Sequence, residues 1–128
     1  MDFSDGNGHA VALRFRVLDT AVSRLVGLLG TKRGEACAVP CLLVRCRSVH
    51  TFGMSYAIDV ALVDERGVVV ASKRGVPAGR VVGAKAAAHA LERPSSDAPW
   101  PRVGDEIGLD LLDEGVKGSA IWTDRSSV

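Results

Sequence analysis

A single small domain of the α+β class, mainly β, is the fold the sequence predicts, and three observations predict it. The 128 residues are 47% hydrophobic, enough for one core and too few residues for two ordinary domains. Apolar residues recur in short β-branched runs with the two-residue period of strands, punctuated by glycine and proline. Helical spacing is confined to one stretch near residues 20–30. We therefore expect a compact small barrel or sandwich of short strands with one main helix. Residues 10–122 form the single globular domain, with a flexible leader at 1–9 and a tail at 123–128.

Val11, Leu13, Phe15 and Val17 alternate with Ala12, Arg14 and Arg16, the pattern of a half-buried strand. Asp19 or Thr20 caps the helix, Val22, Leu25, Val26 and Leu29 line its apolar face, and Gly30 ends it. Charges, Gly34 and Pro40 mark residues 31–40 as a loop, after which residues 41–46 read as a second strand. Residues 58–63 and 68–72 are β-branched runs joined by Asp64-Glu65-Arg66-Gly67, where Gly67 supplies the positive φ of a hairpin. The Ala-rich residues 84–91 have helical propensity that sheet pairing can override, so both readings stay open. Residues 95–101, with Pro99 and Pro101 around Trp100, form a loop, and Gly104-Asp105 introduces a last strand near residues 106–112.

The charge balance narrows the partners. Sixteen Lys and Arg stand against fifteen Asp and Glu, interspersed to a net +1, so there is no basic footprint for nucleic acid or an anionic membrane. No stretch approaches the roughly 20 apolar residues that span a bilayer. The polar, Gly-rich first ten residues lack the positive start and apolar run of a secretory signal. Cys37, Cys41 and Cys46 make an odd count, which fits a reducing compartment without an intrachain disulfide. We expect a cytoplasmic protein whose partner is a small molecule or another protein, needing neither cofactor nor metal.

Polar chemistry concentrates in residues 46–54, closing on Ile58-Asp59-Val60. If one strand runs through this stretch, alternation puts Cys46, Ser48 and His50 on one face, a thiol, a hydroxyl and an imidazole that could supply nucleophile and base. Alternate positions on a strand lie about 7 Å apart, however, too far for the direct hydrogen bond that activation needs. A structural His50 and a core Cys46 are the better reading. Cys37-x3-Cys41-x4-Cys46-x3-His50 offers four soft ligands, but lacks the close Cys pair of structural zinc sites. The glycines at 27–30 and 75–79 match no phosphate-binding loop and read as turns, with Lys73, Arg74 and Arg80 as solvated charges nearby. Asp59, between Ile58 and Val60, needs partners if buried. We expect it to support the loop at 50–56 or pair with Arg24, so that Asp59→Ala costs about 1 to 3 kcal/mol.

These motifs also stand in a familiar order: Arg24-Leu25-Val26-Gly27-Leu28-Leu29, then Cys46-Arg47-Ser48-Val49-His50-Thr51-Phe52-Gly53-Met54, then Ile58-Asp59-Val60 and the hairpin from Asp64 to Val70, with Pro77, Arg80, Leu91-Glu92 and Gly104-Asp105 following. In this the chain resembles domain-of-unknown-function family 192 over residues 11–112, most specifically over 48–59. The resemblance implies a small, mainly β single domain of bacterial or archaeal type, of the group without an export signal, and brings no settled activity. We take Arg24, Ser48, His50, Thr51, Met54, Asp59, Arg80, Glu92 and Asp105 as the candidate ligand or structural site, without carrying over a detailed pocket from the family. The chain departs from the family pattern at Leu29, at Gly53 where an aromatic is usual, and over residues 93–96, where a glycine often follows the Leu-Glu pair.

Two functional readings follow. The first is a non-catalytic binding or accessory module that uses the region from Ser48 to Met54 with Asp59. The alternative is a small hydrolase-like enzyme using Cys46 or His50, with Asp59 orienting the imidazole. Proximity discriminates them, because the enzyme needs Asp59 within hydrogen-bond reach of His50 in an open cleft.

Overall fold

In a computed structural model, residues 9–18, 39–112 and 117–124 are described. They form nine strands: β1 (His9–Leu18), β2 (Cys41–Leu43), β3 (Ser48–His50), β4 (Ile58–Val63), β5 (Val69–Val76), β6 (Val81–Gly83), β7 (His89–Pro94), β8 (Gly108–Leu112) and β9 (Lys117–Asp124). The helix expected at residues 20–30 lies outside the described residues, and no helix occurs within them. The mainly β expectation stands.

Seven strands form one sheet in the order β5-β4-β7-β2-β1-β9-β8, while β3 and β6 make a separate two-stranded ribbon. All neighbours in the large sheet are antiparallel except β1 and β2, which pair in parallel. The sheet curls into a half-barrel. Val69 N donates to Asp105 O at 2.9 Å, Gly104 N to Val69 O at 2.9 Å and Ile107 N to Gly67 O at 2.8 Å, tying the entry to β5 against the approach to β8. Gly67 makes this possible twice over: its φ of 83° suits the hairpin turn, and a Cβ there would stand 2.6 Å from Ile107 O.

The curl creates two cores, one on each face. Inside it, Phe15, Val63, Leu91, Ile107 and the indoles of Trp100 and Trp122 pack together. On the other face Cys41, Leu43, Ile58, Val60 and Leu62 are covered by Val49 and Val82 of the ribbon. Double-sided cover explains why every residue of β4, including Asp59, is buried.

Several boundaries differ from the expected ones. The strand begun at Cys41 stops at Leu43, because residues 44–45 turn and Arg45 takes a left-handed φ of 53°. Cys46 therefore lies outside the strand that carries Ser48 and His50. Residues 84–88 turn and β7 begins at His89, so sheet pairing overrides the helical propensity of the alanines. β5 extends to Val76 through Gly75, which forms a bulge where a turn was expected. His9 belongs to β1, and residues 123–124 belong to β9, a strand missed by the sequence reading.

Candidate functional site

Asp59 is buried and accepts four hydrogen bonds. Ile58 pairs with Val76 and Val60 with Lys73, so Arg74 and Gly75 together oppose Asp59 in the bulge. Its Oδ1 accepts from Gly75 N at 2.8 Å and from Ser95 Oγ at 3.0 Å, and its Oδ2 accepts from Arg93 Nε at 2.8 Å. Arg93 stands directly across the ladder from Asp59 and is 4% exposed, so the ion pair is buried. The guanidinium also donates to Pro99 O and Ala98 O and lies 4.5 Å over the Trp100 ring. Burial alone would raise the Asp59 pKa; the Gly75 amide, Arg93 and Ser95 outweigh it and hold the carboxyl below its ordinary range.

This corrects the expected partners. Asp59 supports the bulge of β5 and the loop at 95–101, whereas support of the loop at 50–56 was expected. Arg24, the other proposed partner, lies outside the described residues. His50 is exposed on β3 and stacks obliquely on Phe52, ring centroids 5.6 Å apart.

Thr51 carries the 50–56 loop instead. Fully buried, its hydroxyl donates to Pro77 O at 2.6 Å and accepts from Arg80 N at 2.8 Å, while its backbone N donates to Arg80 O. Arg80 thus contributes main-chain atoms here, with an exposed side chain. Met54 packs half-buried on the outer core. Asp105 Oδ2 accepts from Arg102 N at 2.8 Å and fixes the turn at the sheet seam. Glu92 is buried on β7 opposite Cys41 of β2, in the large sheet, while β3 belongs to the separate ribbon. Neither Cys41 nor Cys46 is in a disulfide; their thiols donate to Val39 O and Ser48 O respectively, and burial pushes Cys41 up to about 11. Cys37 lies outside the described residues. Among the described residues, no three His, Cys, Asp or Glu side chains converge as metal ligands.

The predicted residues are therefore not one site. Ser48 borders a shallow depression with Arg47, Gly83 and Lys85, whereas Asp105 borders a separate one with Gly104, Glu106 and residues 121–123 of β9. The Ser48 depression shares Arg47 and Lys85 with a cleft of about 690 Å³ at the end of the sheet away from Asp59. Three connections build the cleft: the turn between β2 and β3, the β4–β5 hairpin and the turn at 84–88. They are knitted together by Cys46 N donating to Ala88 O at 2.9 Å and Ala88 N to Val63 O at 2.7 Å. Arg45, Arg47, Arg66 and Lys85 line the cleft with His89. None was a predicted site residue. Arg74, weighed as an anion holder, instead donates to Ser96 O and Ala98 O.

His89 is a hydrogen-bonded titratable group of the cleft. Its Nδ1 accepts from Arg45 N at 3.0 Å, which leaves Nε2 to carry the proton of the neutral ring. Burial, then the Arg45 charge, lower its pKa from the usual 6.5, with Glu65 acting the other way.

No protein-family model and no curated protein matches the chain. Its fold is similar to a crystal structure of a protein of unknown function from Novosphingobium aromaticivorans DSM 12444, with a TM-score of 0.53 and 11% identity over 74% of this chain and 80% of the other. That likeness is one of fold.

Proposed function

We propose that the chain is a non-catalytic binding module, cytoplasmic, with the small β-rich architecture that resemblance to domain-of-unknown-function family 192 implies. Its binding surface begins at Ser48 and extends into the cleft beside it. The observation that carries this reading is the commitment of Asp59: its oxygens are occupied by Gly75, Arg93, Ser95 and Ser96, and it is buried. It has no capacity left to orient an imidazole. The two groups the hydrolase alternative offers, Cys46 or His50, are also engaged elsewhere: the Cys46 thiol donates to a backbone carbonyl and the exposed His50 lies against Phe52.

Hydrolysis of p-nitrophenyl acetate tests it. We expect no saturable turnover, and the same background rate for the parent, Cys46→Ala and His50→Ala. Saturable turnover abolished by either substitution would establish the enzyme reading in its place.

A further inference from the structure

We propose that the cleft lined by Arg45, Arg47, Arg66, Lys85 and His89 binds a small molecule through a phosphate group, an inference that rests on the binding-module reading and specifies its ligand. Charge is the first support. The lining carries four permanent cations against two carboxylates, Asp64 and Glu65, on a chain whose net charge is only +1. Asp64 is turned to a local task, since its Oδ1 accepts from Arg66 N at 2.8 Å and Val68 N at 3.0 Å within the hairpin. None of the four cations makes an ion pair with a carboxylate of the described residues. A cation excess of this size suits a phosphate monoester, which carries about −1.5 to −2 charge at neutral pH, better than a single carboxylate.

Geometry is the second support. Guanidinium groups present planar forks of donors that match oxyanions, and Arg45 and Arg47 flank Cys46 on one short turn. Arg45 holds a left-handed φ of 53°, uncommon for any residue that carries a Cβ. The conformation is fixed from outside the turn by the His89 ring and by the Cys46–Ala88 hydrogen bond. A residue in an uncommon backbone conformation, held by the segment that enters β7 and standing at the rim of a cleft, is the arrangement expected of a ligand-positioning group. At about 690 Å³ the cleft also falls within the roughly 300–1,000 Å³ usual for small-molecule sites.

The test is a titration of ¹⁵N-labelled protein with inorganic phosphate at constant ionic strength, read from backbone amide shifts. We expect saturable shifts confined to the amides of residues 45–47, 64–67 and 85–89. The double variant Arg47→Gln/Lys85→Gln, altered only at exposed positions, should bind about tenfold or more weakly, while Arg102→Gln on the distant seam turn should bind like the parent. Shifts that never saturate, or that persist unchanged in the double variant, would overturn the proposal. Acetate binding as tightly as phosphate would overturn the phosphate assignment while leaving the module reading intact. A poly-dT oligonucleotide binding the same amides more tightly than phosphate would overturn the small-molecule assignment. The module reading itself fails only on the esterase result above, which does not involve the cleft.

Discussion

Asp59 and His89 sit near opposite ends of the same ladder, and each is held in one protonation state by its neighbours. The Asp59 carboxylate is stabilised by the Gly75 amide, Arg93 and Ser95 against the cost of burial. Its folded pKa is below the unfolded 3.8, so its contribution is complete above that value and is lost as pH falls through the folded pKa. His89 is kept neutral by burial and by Arg45, so protonation is disfavoured in the folded state. The unfolded chain takes up the proton first, and stability contributed by His89 is present above pH 6.5 and declines as pH falls toward the folded pKa. A protonated ring also cannot accept from Arg45 N. We expect urea midpoints of the parent to fall between pH 7.5 and 5.5, and the fall to be smaller in His89→Asn, whose amide oxygen can still accept that hydrogen bond without titrating. Equal falls in the two proteins would show that His89 is not the titrating group.

At the scale of elements, the strands with clean alternation or flanking turn residues were legible in the sequence. β4 and β5 with the Asp64–Gly67 link formed as expected, because β-branched runs and a positive-φ glycine act locally. β7 was ambiguous because alanine propensity and sheet pairing compete, and only the ladders from Ala90 to Leu43 and Leu62 decide between them. β9 was missed although Gly118, Ala120, Trp122 and Asp124 alternate inward, since glycine and aspartate weaken its apolar signal. Thr51 joins two turns that neither propensity nor periodicity links. Its buried hydroxyl ties residues 77 and 80, so Thr51→Val leaves Arg80 N without its side-chain acceptor and Pro77 O without its donor. We expect a loss of about 1 to 3 kcal/mol in urea unfolding, with amide shifts concentrated in the turns at 51–54 and 77–80. A midpoint within error of the parent would show that the hydroxyl is dispensable.

The whole molecule separates architecture from binding along the length of its sheet. Asp59, Arg93 and Trp100 close one end around buried charge, while the cations gather at the other, beyond Val63 and His89. The sequence showed the importance of Asp59 because a carboxylate between apolar residues is a local anomaly. It did not show the cleft, since Arg45, Arg66 and Lys85 are ordinary turn residues until three connections converge. Nor did it identify Arg93, whose pairing with Asp59 follows from the β4–β7 register alone. That pairing also raises the expected cost of Asp59→Ala from about 1–3 to about 3–5 kcal/mol, because removal strands a buried guanidinium. The milder Asp59→Asn keeps an acceptor for Gly75 and leaves the protein folded enough to assay. Its urea-unfolding midpoint, taken with its phosphate affinity, is the decisive measurement. We expect a midpoint well below those of the parent and of the exposed-site variant His50→Ala, with phosphate affinity unchanged; a parent-like midpoint accompanied by lost phosphate binding would contradict the separation of anchor and cleft.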